Sequence, residues 1–308
     1  MKQIVIISGK GGTGKTIVTA SFASLVRATS SCEAVMADCD VDAADLHILL
    51  HPSVKEKHEF KGGKMAVIDK EKCTECGKCA EVCRFEAIKE IRSEKKARGG
   101  YPQFSIPKSV FYIESLSCEG CGVCSYICPE KAIRMEEKIS GEWYISETKY
   151  GPFVHAKMGI AEENSGKLVT VVRENAKTVA ERESFDYVII DGPPGIGCPA
   201  IASLSGVNSA LVVTEPSVSG IHDMERIIEV AGHFGIPTVV CINKYDLNIK
   251  NTKAIEKYCQ SSNISVIGKI PFDEIVIKAL TNKMPVVEYS DSQVTKEIKS
   301  MWEKIKEV

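Results

Sequence analysis

Of the thirteen cysteines in this 308-residue chain, eight fall into two runs of one spacing: Cys73-x-x-Cys76-x-x-Cys79-x-x-x-Cys83 and Cys118-x-x-Cys121-x-x-Cys124-x-x-x-Cys128-Pro129. Thiolates spaced this way wrap one face of an iron-sulfur cubane: three come from a tight loop, and the fourth is directed by the following helix toward the other cluster. Two 4Fe-4S clusters are expected, one on Cys73, Cys76, Cys79 and Cys128, the other on Cys83, Cys118, Cys121 and Cys124. Structural zinc and disulfides are the alternatives. Zinc sites usually use two ligand pairs separated by a longer spacer and do not need a C-x-x-C-x-x-C run.

A second chemistry opens the chain. Gly9-Lys10-Gly11-Gly12-Thr13-Gly14-Lys15-Thr16 has the pattern G-x-x-x-x-G-K-T, after the apolar Gln3–Ile7 and before a helix expected from Gly14 to about Ala28. Backbone N–H groups of such a loop cradle phosphates, and the helix N-terminus favours the anion. Lys15 is expected to reach the β- and γ-phosphates, with the Thr16 hydroxyl on Mg2+. Downstream, Tyr187–Asp191 runs apolar into an acid and then Gly192-Pro193-Pro194-Gly195. This reads as a strand whose Asp191 holds Mg2+ through water, followed by a turn able to move when the γ-phosphate leaves. The bland readings are a fortuitous glycine turn and a capping aspartate.

The lysine directly after the first glycine makes the loop resemble the deviant phosphate loop of MinD/ParA-type ATPases and the nitrogenase iron protein. That resemblance implies a homodimer in the ATP-bound state, with Lys10 reaching the partner's nucleotide. Asp38-Cys39-Asp40 matches the class's first switch, implying that Asp40 orients the attacking water and the metal's shell. Asn243 and Pro271 are implied to flank adenine. Asn243-Lys244-Tyr245-Asp246 also resembles the N-K-x-D turn of GTPases, so GTP remains a minority reading beside ATP, with Asp246 favoured as a plain turn residue. As a whole the chain is similar to MinD-superfamily ATPases carrying an inserted ferredoxin domain, with Mrp-type iron-sulfur carriers among their relatives. Two departures are Arg84, where proline usually follows the fourth cysteine, and the long spacer through Gly99, Gly100 and Pro102.

Positioning these groups requires an α/β host: a mostly parallel sheet with helices on both faces, at 1–61 and 139–308. Ala34–Ala37, Leu168–Arg173, Ala210–Thr214, Thr238–Asn243 and Val266–Ile270 read as strands, with helices near Ser219–Phe234 and from about Ser290. The inserted α+β module is expected at 62–138: short strand, cysteine loop, short helix, short strand, twice. Its ends lie close together, so it can enter a host loop. Around Trp143-Tyr144-Ile145 a strand is expected; the rest of 139–166 has no clear pattern.

Other residues invite weaker readings. Cys198, after the Gly-Pro-Pro-Gly turn, is a speculative intersubunit metal ligand or a packing residue; Cys32, Cys39, Cys241 and Cys259 read as packing. His47 and His51 have helical spacing but no third ligand, and His155 is a weak candidate. Val294, Ile298, Met301, Ile305 and Val308 form an apolar helical stripe, read as docking on the sheet in preference to a membrane surface. The charged Glu90–Arg98 reads as solvated. Net charge is −2, from 39 basic and 41 acidic residues, so no nucleic-acid partner is expected. No apolar run suggests a membrane segment or signal peptide, and a cytoplasmic location is expected. The leading functional expectation is an ATPase that couples nucleotide state to assembly or delivery of iron-sulfur or related metal cofactors, with a redox or cofactor-maturation protein as partner. An ATP-gated electron donor and a positioning ATPase with structural clusters are the alternatives.

Overall fold

The computed structural model describes residues 1–29, 33–93, 108–159 and 165–308. Cys32, Gly99, Gly100, Pro102 and the end of the Glu90–Arg98 stretch lie outside the described residues. The elements are β1 (Lys2–Ser8), α1 (Lys15–Ala28), β2 (Ala34–Asp38), α2 (Leu46–Leu50), β3 (Ser53–Ile68), α3 (Lys78–Val82), β4 (Ile88–Ser93), β5 (Lys108–Ile113), α4 (Val123–Ile127), β6 (Ile133–Thr148) and β7 (Gly151–Met158). They continue with α5 (Ser165–Glu183), β8 (Tyr187–Pro194), α6 (Cys198–Leu204), β9 (Ser209–Thr214), α7 (Val218–His233), β10 (Thr238–Asn243), α8 (Ile249–Ser261), β11 (Ser265–Ile270), α9 (Glu274–Thr281), α10 (Val286–Tyr289) and α11 (Gln293–Ile305).

A sheet in the order β11-β10-β9-β1-β8-β2-β7-β6-β3 organises the larger unit. The strands from β11 to β7 pair in parallel. Strands buried on both faces are continuously apolar rather than alternating. Ile4, Val5, Ile6 and Ile7 of β1, and Val188, Ile189 and Ile190 of β8, are fully buried. Leu168–Arg173, expected as a strand, lies inside α5. Leu168, Val169, Val172 and Ala176 are its buried face, and the i, i+1, i+4, i+8 spacing has the helical period. The short window of β-branched residues hid that longer period.

At the C-terminus, α11 buries Val294, Ile298, Met301, Trp302 and Ile305. Trp302 packs on Phe22 and Tyr187 with ring centroids 5.1 and 5.3 Å apart. Lys2 Nζ donates to the Lys306 carbonyl at 2.9 Å, satisfying a helix-end acceptor. The apolar stripe therefore docks within the protein, except for the exposed Val308. Among the described residues no helix is long and apolar enough to cross a membrane.

The chain divides into two compact units: Met1–His58, Glu142–Met158 and Ser165–Val308 form one, and Glu59–Gly141 with Gly159–Asn164 the other. The expected module limits, 62 and 138, fall within β3 and β6, and each of these strands has residues in both units. The smaller unit repeats strand, loop, short helix, strand, with β4 and β5 pairing antiparallel. Ala66, Cys79, Ile88, Phe111 and Ile133 make its small core.

Candidate functional site

The phosphate loop lies between β1 and α1, at the C-terminal edge of the parallel sheet. Open α/β sheets bind ligands at that edge, where strand ends leave a crevice. Asp38, Asn243 and Pro271 stand at or just past the ends of β2, β10 and β11, and Asp191 lies in β8 three residues before its end. The loop needs its glycines. A Cβ on Gly9 would collide with the backbone of Asp223; Gly12 and Gly14 have φ of 77° and 97°; Gly11 has open space beside it. Gly14 caps α1 with no side-chain acceptor, leaving the helix N–H groups for an anion. Thr13 Oγ1 is buried with no partner among the described residues. These features fit a bound phosphate chain.

Lys15 is only 5% exposed, and its Nζ lies 4.0 Å from Asp40 Oδ2. Thr19 Oγ1 donates to Asp191 Oδ1 at 3.0 Å. Burial pushes the Asp191 carboxyl up to about 6, opposed by the Lys15 charge and by bonds from Thr16 and Thr19. Burial also raises Asp40, again against Lys15. Asp38 is raised well above the usual carboxylate range by burial and the Asp191 charge, although it accepts N–H bonds from Asp40 and Leu46 at 3.1 and 3.2 Å. A buried acid cluster around one lysine and two threonine hydroxyls is a suitable cation site, since a divalent ion would relieve its mutual repulsion. Thr16, Asp40 and Asp191 face this cluster and could hold Mg2+, directly or through water.

Lys10 Nζ contacts Glu215 Oε1 at 2.6 Å and donates to Ser217 and Ser219 Oγ at 3.0 and 3.2 Å. Glu215 also pairs with Lys244 Nζ at 3.2 Å. Burial works to raise the Glu215 carboxyl, but bonds and charge from the two lysines hold it below its usual value. Sequence reading missed Glu215, although it follows the apolar run of β9 just as Asp191 follows the apolar run of β8. Asn243 Nδ2 donates to the Thr13 carbonyl at 2.8 Å, tying the end of β10 to the phosphate loop. Asp246 Oδ1 accepts the Phe272 N–H at 2.7 Å and so fixes the loop that begins at Pro271.

In the smaller unit, Cys73, Cys76, Cys79 and Cys128 ring one small hollow, and Cys83, Cys118, Cys121 and Cys124 a second, each partly open to solvent. The repeat extends to the backbone. Glu75 and Gly120, Gly77 and Gly122, and Glu86 and Lys131 are matched pairs with positive φ. These reversals fold the C-x-x-C-x-x-C loops inward, and Gly77 and Gly122 start α3 and α4. Burial raises the Cys79 and Cys124 thiols, so a metal must displace their protons. Ala132 N–H donates to Cys128 Sγ at 3.3 Å. Among the described residues no three His, Cys, Asp or Glu converge where a single metal ion could sit. A cubane needs no such convergence, because each iron takes one thiolate and the four sulfurs stand around a hollow. The donor sets suit that group.

Other candidates separate. Cys198 is exposed at the start of α6. Cys39, Cys241 and Cys259 are buried. His51 ends α2 with φ 49° and donates from Nε2 to the Lys283 carbonyl at 2.8 Å, so it forms no ligand pair with His47. His155 stacks between Tyr144 and Phe153, and burial, with His47 nearby, pushes it down to about 4.

Fold and loop together define a P-loop nucleotide-binding α/β domain. The chain belongs to the CobQ/CobB/MinD/ParA nucleotide-binding domain family, whose model matches residues 4–286. It is 33% identical over 306 residues to an uncharacterised protein of Methanocaldococcus jannaschii, covering 99% of this chain and 96% of that one. An iron-sulfur cluster carrier protein of Pyrococcus horikoshii is 27% identical over 154 residues, 46% of this chain and 52% of that one. Among solved structures, the septum site-determining protein MinD of Pyrococcus horikoshii, complexed with Mg-ADP, superposes with TM-score 0.59 at 17% identity, covering 99% of this chain and 95% of that one.

Proposed function

We propose that the chain is a Mg2+-dependent ATPase with two resident 4Fe-4S clusters in an inserted ferredoxin-like unit, and that nucleotide state gates electron transfer to a partner redox protein. The observation that carries this reading is that each hollow is ringed by a complete set of four cysteines. Complete thiolate sets hold clusters stably, and bound clusters supply one-electron transfer. The family's leading lysine supports a homodimer in which Lys10 exchanges its Glu215 partner for the other subunit's nucleotide. In such a dimer Lys15 cradles the phosphates, Thr16 and Asp191 hold Mg2+, Asp40 orients water, and Asn243 and Pro271 flank adenine. The route to the clusters is the chain itself: β3 begins at Ser53, thirteen residues after Asp40, and leads into the first cysteine loop.

A second reading, delivery of a cluster or metal cofactor to a maturation client, is favoured by the similarity to the iron-sulfur cluster carrier protein and by the exposed Cys198. Anaerobic protein reduced with dithionite and mixed with an oxidised viologen acceptor separates the two. The electron-transfer reading expects ATP, but not a non-hydrolysable analogue, to change the oxidation rate while iron stays with the chain through desalting. Iron passing to an apo-ferredoxin on ATP addition, at an unchanged oxidation rate, would overturn it in favour of delivery.

A further inference from the structure

The two halves of the cysteine unit repeat residue for residue, Cys118 following Cys73 at the same interval as Cys128 follows Cys83. Each hollow is therefore an internal control for the other. At matched positions Lys78 lines the hollow of Cys73, Cys76, Cys79 and Cys128, whereas Val123 lines that of Cys83, Cys118, Cys121 and Cys124. Thr74 in the first is matched by Glu119 in the second, and Glu130 in the first by Phe85 in the second. Among the described residues, Lys78 and Glu130 are thus the charged residues lining the first hollow, and Glu119 is the charged residue lining the second. The thiolates differ too. Cys128 accepts the Ala132 N–H at 3.3 Å, while the matching bond from Ala87 to Cys83 is absent among the described residues.

Lys78, the neutral Thr74 opposite Glu119 and the bond to Cys128 act in one direction, and Glu130 opposite Phe85 acts against them, leaving the first hollow with balanced charge and the second with one acid. A reduced cluster carries one more negative charge than an oxidised one. Nearby cations and N–H donors to sulfur favour the reduced form, whereas an acid or an apolar wall disfavours it. We infer that the two sites are redox-inequivalent: the cluster held by Cys73, Cys76, Cys79 and Cys128 has the higher potential and takes the first electron, and Lys78 is a main cause of the difference. This rests on reading the quartets as cluster ligands. The step is a single-electron uptake with no bond made or broken at the thiolates; dithionite supplies the electron in the test below and is oxidised to sulfite.

The test is a mediated redox titration of the anaerobic full chain, followed by paramagnetic resonance, after iron analysis. Native protein should titrate in two one-electron steps. Lys78→Val should lower the upper step and leave the lower one in place, and Val123→Lys should raise the lower step and narrow the gap. Both positions are exposed, so neither change threatens the fold. Two clusters titrating together, a separation that neither substitution changes, or Lys78→Val moving the lower step would each overturn the inference while leaving the cluster reading intact. A chain that binds no iron would overturn both.

Discussion

Asp191 carries the nucleotide site's clearest dependence on pH. Its carboxyl is buried within β8 and held up to about 6, chiefly by desolvation, in the nucleotide-free protein. A folded-state value above the ordinary 3.8 means the folded chain binds this proton more tightly than the unfolded chain does. The resulting stability is present in full below the ordinary value and is lost as pH rises through about 6. Over that window the group removes on the order of 3 kcal/mol. Asparagine mimics the protonated acid, so Asp191→Asn should gain stability relative to the native chain as pH rises from about 4 to about 6, as read by denaturant unfolding. A difference between the two proteins that stays constant with pH would contradict the assignment. The same proton competes with Mg2+, which makes the cation weaker-bound on the acid side of this window. Much of the site was legible at the residue scale because phosphate loops and cluster loops depend on glycine and cysteine at fixed intervals. Glu215 was not, because a lone acid after an apolar strand has no spacing signature, and its role follows only from Lys10 and Lys244 folding onto it.

Elements explain why these residues stay in position. Parallel strands buried on both faces deliver acids and amides to one edge of the sheet, and α11 closes the core beneath β11 and α1. Ile298 is fully buried in that contact. Ile298→Ala should cost about 2–5 kcal/mol by lost burial and cavity formation, measured by denaturant unfolding. A cost near zero would mean that α11 is not docked in solution. Strands preceding Asp38, Asp191 and Asn243 could be read from their apolar runs because burial on both faces leaves a continuous pattern. The same cue misassigned Leu168–Arg173, where Val169, Val171 and Val172 crowd together and α5 follows the longer period set by Val172, Ala176 and Ala180. Likewise, β3 and β6 run on past the expected module limits, because Gly62, Gly63 and Gly141 are carried inside the strands and do not end them.

At the scale of the whole molecule, a nucleotide-binding α/β domain is continuous in chain with a unit that has two cysteine-ringed hollows. Family membership and fold define the first of these. The second rests on the proposal that the quartets hold iron-sulfur clusters, and both electron gating and inequivalent potentials depend on it. The most direct measurement is iron, acid-labile sulfide and zinc per chain in anaerobically purified protein, made on native protein and on Cys121→Ala. Native protein should contain about eight irons and eight sulfides per chain, with no stoichiometric zinc, as two 4Fe-4S clusters require. Cys121→Ala should lose iron from one site while keeping about half of the total. Stoichiometric zinc, or native protein without iron and sulfide, would contradict the account at its centre.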